Sequence, residues 1–354
     1  MSRRAIVVLS AGLMAACGND SNDGVLGPTP PVATPAPIAS PSPIATSTPA
    51  PTASPSTTPT ASPFPTVTFL TEDPEAFDYW PRWSPDGETV LFSRTAAGGG
   101  GLYALWTIPA AGGTAALLPG IPATLGATRA SWSWSTDQIA FSGSPSPDLF
   151  HTYVVPGAGG DPVPIDAPNL GAIVNYPSWY PDGTALAVVD YGSDPGAPAG
   201  TLKRIAADGS TTTVLTDLAE IYAGEPAVSP DGQTIAFPGQ PNGGMPYDQQ
   251  NNRIYLLPQD GTPVRFDPDE GRTPDWSPDG AFLAFESTRA CSGGLYAIWI
   301  EPVAGGDALQ LTDCSLDGNH AVWSPGGDRI AFSAVLAEST SARGIAVFDV
   351  PPQP

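Results

Sequence analysis

Short apolar runs separated by polar turns dominate residues 67–354, and one pattern recurs six times. In each repeat an anchor residue ends one apolar run, a polar turn follows, and a second apolar run closes nine positions after the anchor. The commonest turn is Ser-Pro-Asp-Gly, in which Pro presets φ, Asp caps the turn locally and Gly accepts a positive φ. The anchors are Trp83, Trp132, Trp179, Val228, Trp276 and Trp323.

The spacing of the anchors predicts how many strands each repeat contains. Successive anchors are 49, 47, 49, 48 and 47 residues apart, which is enough for four short strands. No window shows the 3.6-residue period of an amphipathic helix. Four antiparallel strands in about 48 residues are typical of a propeller blade. The fold class predicted is therefore all-β, a six-bladed β-propeller of four-stranded antiparallel blades.

The ends of the repeat region predict how the ring closes. The last repeat stops after its third strand, at 345–348, while residues 68–72 resemble the fourth strand of the preceding repeat at 309–313. We expect the N-terminal strand to complete the last blade, since this pairing removes an open sheet edge.

The Trp-Ser-Pro-Asp-Gly turn followed by Ile-Ala-Phe resembles the WD40-like repeat of the TolB β-propeller family, and the resemblance covers residues 67–354. That family includes periplasmic scaffolds, propellers attached to serine peptidases and many lipoproteins. TolB itself carries an α/β domain before its propeller, whereas here a proline-rich segment occupies that place. The resemblance therefore implies a fold and leaves the function open.

The N-terminus has the features of an export signal. Arg3 and Arg4 precede a short apolar run, 5–16, that is too brief to span a bilayer and meets Cys17. Residues 13–17 resemble a bacterial lipobox, which predicts lipidation of Cys17; an ordinary secretory signal with an incidental cysteine is the alternative. We expect a signal peptide at 1–16 and a location in the bacterial cell envelope, lipid-anchored, on the periplasmic or extracellular face.

Residues 17–66 lack the apolar side chains that a core needs. Between 28 and 65 there are 13 prolines among Ala, Ser and Thr, and no charged residue. Such a segment cannot offset the entropy of ordering, so we expect a disordered tether before the propeller at 67–354. It holds the domain away from a membrane; a passive linker is the alternative.

Charge narrows the class of partner. Lys plus Arg is 13 against 35 for Asp plus Glu, a formal net charge of −22. This balance excludes a basic footprint for nucleic acid and a polybasic grip on anionic lipid. We expect a monomer that contacts the membrane only through its N-terminal lipid, uses no cofactor, and binds a basic envelope protein or peptide.

If Cys17 is lipidated, an even number of cysteines remains, Cys291 and Cys314. They lie in loops that emerge on one face of a propeller, so a disulfide is expected, with two free thiols as the alternative. With two thiols and two histidines, His151 and His320, no metal site is predicted.

The loops differ in length between the two faces, which points to a binding surface. The loops that precede each innermost strand, and those between strands two and three, are long and irregular, as binding loops often are. Residues three or four positions before an anchor are expected at the channel mouth on that face. The candidate binding residues are Tyr79, Trp80, Arg129, Asn175, Tyr176, Glu225, Arg272, Asn319 and His320. Inter-blade packing and Arg–Glu pairing around a water-filled channel is the alternative.

No catalytic signature is present in the sequence. It contains neither a Gly-x-Ser-x-Gly elbow nor a His-Glu-x-x-His motif. We therefore expect a protein- or ligand-binding scaffold with no catalytic residue. One alternative is a propeller-type lyase or hydrolase with its site at the channel mouth; a second is carbohydrate or calcium-dependent surface binding.

Overall fold

The structure, a computed structural model, describes residues 63–96, 101–146, 149–193, 200–217, 220–242, 251–267, 269–336 and 342–352. The predicted signal peptide, lipidation site Cys17 and most of the tether lie outside the described residues.

The described residues form β-strands and include a one-turn 3₁₀ helix, Cys314–Leu316. In chain order the strands are β1 Thr68–Phe69, β2 Ala76–Trp83, β3 Thr89–Ala96, β4 Ala104–Pro109, β5 Ala116–Leu117, β6 Gly126–Trp132, β7 Gln138–Ser146, β8 Leu149–Pro156, β9 Val163–Pro164, β10 Val174–Trp179, β11 Ala185–Asp190, β12 Thr201–Ala206, β13 Thr212–Val214, β14 Ile221–Ala223, β15 Ala227–Val228, β16 Thr234–Pro241, β17 Arg253–Pro258, β18 Val264–Arg265, β19 Arg272–Trp276, β20 Phe282–Ser287, β21 Ala297–Pro302, β22 Leu309–Gln310, β23 Asn319–Trp323, β24 Arg329–Val335 and β25 Arg343–Asp349.

The strands are grouped as the anchors predict. Four separate antiparallel sheets are formed by β6–β9, β10–β13, β14–β18 and β19–β22. The remaining strands form an eight-stranded sheet in which β25 contacts β2 through one parallel bridge, Phe77 to Arg343. The predicted all-β propeller arrangement is confirmed, with four separate blades; the count of six and the closure by the N-terminal strand stay predictions.

The core lies between neighbouring sheets because the second strand of each repeat is buried on both faces. The apolar residue nine positions after the anchor is a fully buried Phe in five repeats: Phe92, Phe141, Phe237, Phe285 and Phe332. Each shares a cluster with residues of the preceding repeat; Phe92, for example, packs with Val322 and Val347 of the sixth repeat. Burying a Phe side chain contributes about 1.5–3 kcal/mol, so these stacked strands hold the ring together.

The one–two turns use glycine where a positive φ is needed. Gly87, Gly183, Gly232, Gly280 and Gly327 have φ between 69° and 73°. In the second repeat the turn reads Ser-Trp-Ser-Thr-Asp, and Asp137 takes the left-handed conformation at φ 50°. We call the surface formed by these turns the turn face.

Strand β1 joins the two ends of the described chain. Thr68 pairs with Val347 and Phe69 with Ala346, and Leu70 N donates to Ile345 O at 2.7 Å. Val350, just after β25, donates its N–H to Asp328 O in the one–two turn of the last repeat, so this end of β25 lies at the turn face. Because β1 runs antiparallel to β25, the chain enters β1 from the turn face.

Candidate functional site

A repeated backbone distortion builds the predicted mouth. The residue three positions before the anchor occupies the same place in all six repeats; we call these residues the mouth ring. Five of the six have a positive φ: Trp80 at 53°, Arg129 at 50°, Tyr176 at 57°, Thr273 at 46° and His320 at 54°. Positive φ is strained for bulky and β-branched residues. The surrounding structure must therefore impose it.

Irregular pairing of the innermost strand produces the distortion. In β2, β6, β10, β19 and β23 the register against the neighbouring strand shifts between the residues four and one positions before the anchor. Such a bulge re-aims a side chain. In the fourth repeat, Pro226 follows Glu225 and lacks an N–H, and the innermost strand is split there into β14 and β15.

Two members of the mouth ring donate backbone hydrogen bonds to side chains of the preceding repeat. Tyr176 N donates to Ser142 Oγ at 3.1 Å, and His320 N donates to Glu286 Oε2 at 2.7 Å. Because the acceptors belong to a different repeat, the left-handed conformation depends on assembly of the ring.

Arg129 is held between two aromatic rings. Its guanidinium carbon lies 4.5 Å from the centroid of the Trp80 ring and 4.7 Å from that of the Tyr176 ring. This places a cation–π sandwich across three consecutive repeats. Trp80 and Arg129 are only 5% and 7% exposed, so the sandwich is largely shielded from solvent.

Glu225 pairs with an arginine that the sequence analysis did not select. Its Oε1 accepts from Arg82 Nη2 at 3.2 Å. Burial raises the pKa of Glu225, and the charges of Arg82 and Arg129 lower it. Arg82 stands one position before its anchor. Asp275 holds the equivalent place in the fifth repeat, where its Oδ2 accepts from Trp323 N at 2.8 Å. Extending the candidate positions from three and four residues before the anchor to one residue before it would have found both residues.

Arg272 forms the second ion pair of the site. Its Nη2 lies 3.0 Å from Glu286 Oε1, and its guanidinium carbon lies 4.1 Å from the Tyr296 ring centroid. Burial, followed by the charges of Arg272 and Arg129, holds the pKa of His320 well below its usual value. His320 is therefore neutral at physiological pH.

Tyr79 links this cluster to the last strand. Its ring lies 6.2 Å from that of His320, edge to face, and Arg343, paired with Asp317, lies 5.5 Å above it. Burial raises the pKa of Tyr79, and burial raises that of Tyr103 to about 12. Both phenols are therefore neutral hydrogen-bond donors.

Three predicted residues hold polar atoms for which the described residues supply no hydrogen bond. These atoms are Asn175 Oδ1, Asn319 Nδ2 and His320 Nδ1, and all three are buried. A buried polar atom without a partner costs free energy, so these atoms favour a ligand that can bond to them.

The candidate residues divide by accessibility. Trp80, Arg129 and Asn175 are buried, whereas Tyr79, Tyr176, Glu225, Arg272, Asn319 and His320 are half-buried. Ring contacts bring Tyr79, Trp80, Arg129, Tyr176 and His320 together. Arg–Glu pairing is present as well, but the partner of Glu225 is Arg82. Ligand binding at this ring stays a prediction.

The structure contains the predicted disulfide between Cys291 and Cys314, whose Sγ atoms are 2.04 Å apart. Within the described ranges, no three Cys, His, Asp or Glu side chains are placed to hold a metal ion. The same part of the chain contains no helix with the length and apolar character that a bilayer crossing requires.

Comparison with curated proteins gives partial matches. No family model matches the chain. A 121-residue stretch is 33% identical to the uncharacterized peptidase YuxL of Bacillus subtilis, covering 33% of this chain and 18% of that protein. Another, of 188 residues, is 28% identical to the uncharacterized protein Atu1656 of Agrobacterium fabrum, covering 51% of this chain and 58% of that protein. The chain thus spans less than two thirds of either relative.

Solved structures match over most of the chain. A TolB from Agrobacterium tumefaciens superimposes with a TM-score of 0.59 at 20% identity, covering 80% of this chain and 93% of that one. TolB from Acinetobacter baumannii gives 0.53 at 17% identity, covering 78% and 64%. An oligogalacturonate lyase from Vibrio parahaemolyticus gives 0.52 at 13% identity, covering 80% and 93%. At these identities the likeness concerns the fold, and the chain has a TolB-like β-propeller fold.

Proposed function

We propose that the chain is a binding scaffold of the bacterial cell envelope that holds a protein or peptide ligand at the mouth ring. In this proposal Cys17 carries the lipid, residues 17–66 form the tether, and residues 67–354 form the propeller. The eight-stranded sheet counts as two blades, giving six, and β1 supplies the fourth strand of the last.

The left-handed mouth ring is the observation that carries the proposal. Strained backbone persists only where its surroundings over-determine it, and it clusters at binding and catalytic sites. Here Trp, Arg, Tyr, Thr and His all adopt it at one structural position. Tyr, Trp and Arg are the residue types enriched at binding hot spots, and half-buried Tyr176 and Arg272 are accessible to a ligand.

The charge of the surroundings favours a basic partner. Exposed carboxylates flank the mouth, among them Asp73 and Asp269, whose side chains are 45% and 63% exposed. Two arginines of the site are paired with carboxylates, Arg82 with Glu225 and Arg272 with Glu286. The acidic rim therefore steers a cationic partner toward the ring and makes association faster at low salt.

The surroundings of His320 do not favour general-acid catalysis. His320 is the one histidine of the mouth ring, and four arginines lower its pKa further after burial. A proton donor needs the protonated imidazole, which this cationic setting disfavours.

The test is capture of partners from envelope extract by the full chain, followed by affinity measurement with each captured protein. Arg272→Ala should weaken binding at least tenfold, because the partly exposed Arg272 is held at the mouth by Glu286 and stacks on the buried Tyr296 ring. The matched control is Arg204→Ala, which removes a similar pair, 4.3 Å from the Tyr180 ring, beside a one–two turn. Equal affinities of the two variants for every captured protein would refute a site at the mouth ring.

A further inference from the structure

One repeat departs from the others on the turn face. Five repeats have Pro two positions after the anchor, whereas the second has Trp134, whose side chain is 47% exposed. A single exposed aromatic residue needs no explanation, but a second tryptophan, Trp132, lies beside this one.

The anchor of the same repeat is also turned outward. The other four anchor tryptophans are between 2% and 7% exposed, whereas Trp132 is half-buried. Trp83 and Trp276 donate their indole N–H to a backbone carbonyl of the preceding repeat, Val322 O and Ala227 O. Trp132 Nε1 instead donates to Asp137 Oδ1 of its own turn at 2.8 Å. Two tryptophans are therefore presented at one place on the surface.

The two tryptophans line an open groove of about 480 Å³ between the first and second repeats. Polar side chains complete its lining, including Asp86 and Thr89 from the first repeat and Thr136 and Asp137 from the second. The groove is on the opposite side of the propeller from the mouth ring, since its walls are one–two turns.

Close packing fixes the second-repeat turn. A Cβ on Gly157 would lie 2.2 Å from Asp137 Oδ1, and one on Gly183 would lie 2.5 Å from Thr136 Cγ2. A larger residue at either position would have to displace the Asp137 or Thr136 side chain. The turn is also tied by two backbone hydrogen bonds, from Ser133 N to Gln138 O and from Gly157 N to Asp137 O, both at 2.8 Å. This wall of the groove is therefore in place before a ligand binds, and the entropic cost of binding is lower.

The polar groups of the groove require a ligand rich in hydrogen-bond donors. Asp86 Oδ1 accepts from Ser84 Oγ at 2.6 Å and from Glu88 N at 3.0 Å, and these bonds lower the pKa of Asp86, so it stays ionised. The bonds that the structure gives to Asp86 and Asp137 all end on Oδ1, leaving Oδ2 of each as an acceptor for a ligand. Ionised carboxylates accept only.

This requirement separates two classes of ligand that bind aromatic grooves. A proline-rich peptide offers carbonyl acceptors and few N–H donors for the two carboxylates, and of the two indole N–H groups in the groove that of Trp132 is already bonded to Asp137. A sugar ring offers a C–H face that lies against an indole and hydroxyl donors at its edge. Two carboxylates also repel an anionic ligand.

We propose that the groove between the first and second repeats is a carbohydrate-binding site that takes a neutral oligosaccharide. Trp132 and Trp134 form stacking platforms, and Asp86 and Asp137 accept hydrogen bonds from hydroxyl groups. The site is separate from the mouth ring and independent of any ligand there.

The test is isothermal titration of the full chain with cellohexaose and with chitohexaose, and with a proline decamer as the competing class. At least one hexasaccharide should bind, and Trp134→Ala should weaken that binding at least tenfold. Trp134→Pro restores the residue of the other repeats and should have the same effect. Leu309→Ala is the matched control, because Leu309 is 45% exposed on a distant sheet edge, and it should leave affinity within twofold.

Three outcomes would overturn the site: neither hexasaccharide binds, both Trp134 variants bind as tightly as the parent chain, or only the proline decamer binds. Because Trp134→Pro introduces the residue that the other turns already contain, it separates a lost platform from a misfolded turn. Thermal unfolding of each variant checks that the propeller is intact.

Discussion

Single residues at the centre of the ring are tuned by burial and by a few charges. Asp275 is the clearest case, since burial raises its pKa to about 6, opposed by the charge of Arg82 and by the hydrogen bond from Trp323 N. The folded state therefore binds this proton more tightly than the unfolded chain does. Its contribution to the free energy of unfolding is largest below pH about 4 and is lost as the pH rises through 6.

Asp275→Asn should therefore stabilise the protein at pH 7.5 and have little effect at pH 4, because asparagine keeps an acceptor for Trp323 N without the buried charge. A shift of two pKa units corresponds to about 3 kcal/mol, so the expected gain in unfolding free energy is about 1–3 kcal/mol. Chemical denaturation at the two pH values measures it. Asp279→Asn is the control, and it should destabilise the protein at pH 7.5, because hydrogen bonds from Ser277 and Ala281 N lower the pKa of Asp279. A destabilised Asp275→Asn at pH 7.5 would contradict the assignment.

At the scale of elements, the strands could be predicted from the sequence and the backbone at the mouth could not. Anchor spacing and the closing apolar residues are local features, so they predict the second strand of every repeat. The positive φ of Tyr176 and His320 depends on acceptors in the preceding repeat, Ser142 and Glu286. The partner of Glu225 was missed for the same reason, since Arg82 is 143 residues away in the chain.

Strand β1 supports a prediction at this scale. Deleting residues 67–73 removes the strand that pairs with β25 and the Thr71 hydroxyl that accepts from Ile345 N at 2.8 Å. The exposed edge of β25 and the lost contacts of Phe69 with the core should lower the melting temperature by about 5 °C or more. Deleting only 63–66 is the matched control and should leave it unchanged. Equal melting temperatures for the two deletions would show that β1 contributes nothing to stability.

At the scale of the whole molecule, two segments predicted from the sequence lie mainly outside the described residues. The lipobox-like stretch before Cys17 and the proline-rich segment stay predictions, and the two remaining cysteines are bonded to each other. The cysteines therefore fall into two groups: Cys17 is the candidate lipid anchor, and Cys291 with Cys314 constrains two loops. Substitution of Cys17 tests membrane attachment, and substitution of the other two serves as the control.

Cys17→Ser should move the protein from the membrane fraction to the soluble fraction, because the thiol that would carry the lipid is gone. Replacing Cys291 and Cys314 together by Ser should lower stability by about 3 kcal/mol, as expected for a bridge 23 residues apart, without changing fractionation. Fractionation by ultracentrifugation and immunoblotting measures both. Retention of Cys17→Ser in the membrane fraction would rule out lipidation as the means of attachment.

The pairing of β1 with β25 has a consequence for the order of folding. Hairpins within each repeat join residues close in sequence, whereas Ile345 and Thr71 are 274 residues apart. Contacts of such long range form slowly, because the entropy of closing the loop is lost before any contact compensates for it. During synthesis or export the segment that becomes β1 leaves first and must wait for the last strand. Until then both ends expose strand edges, so incomplete chains are the species most prone to aggregate.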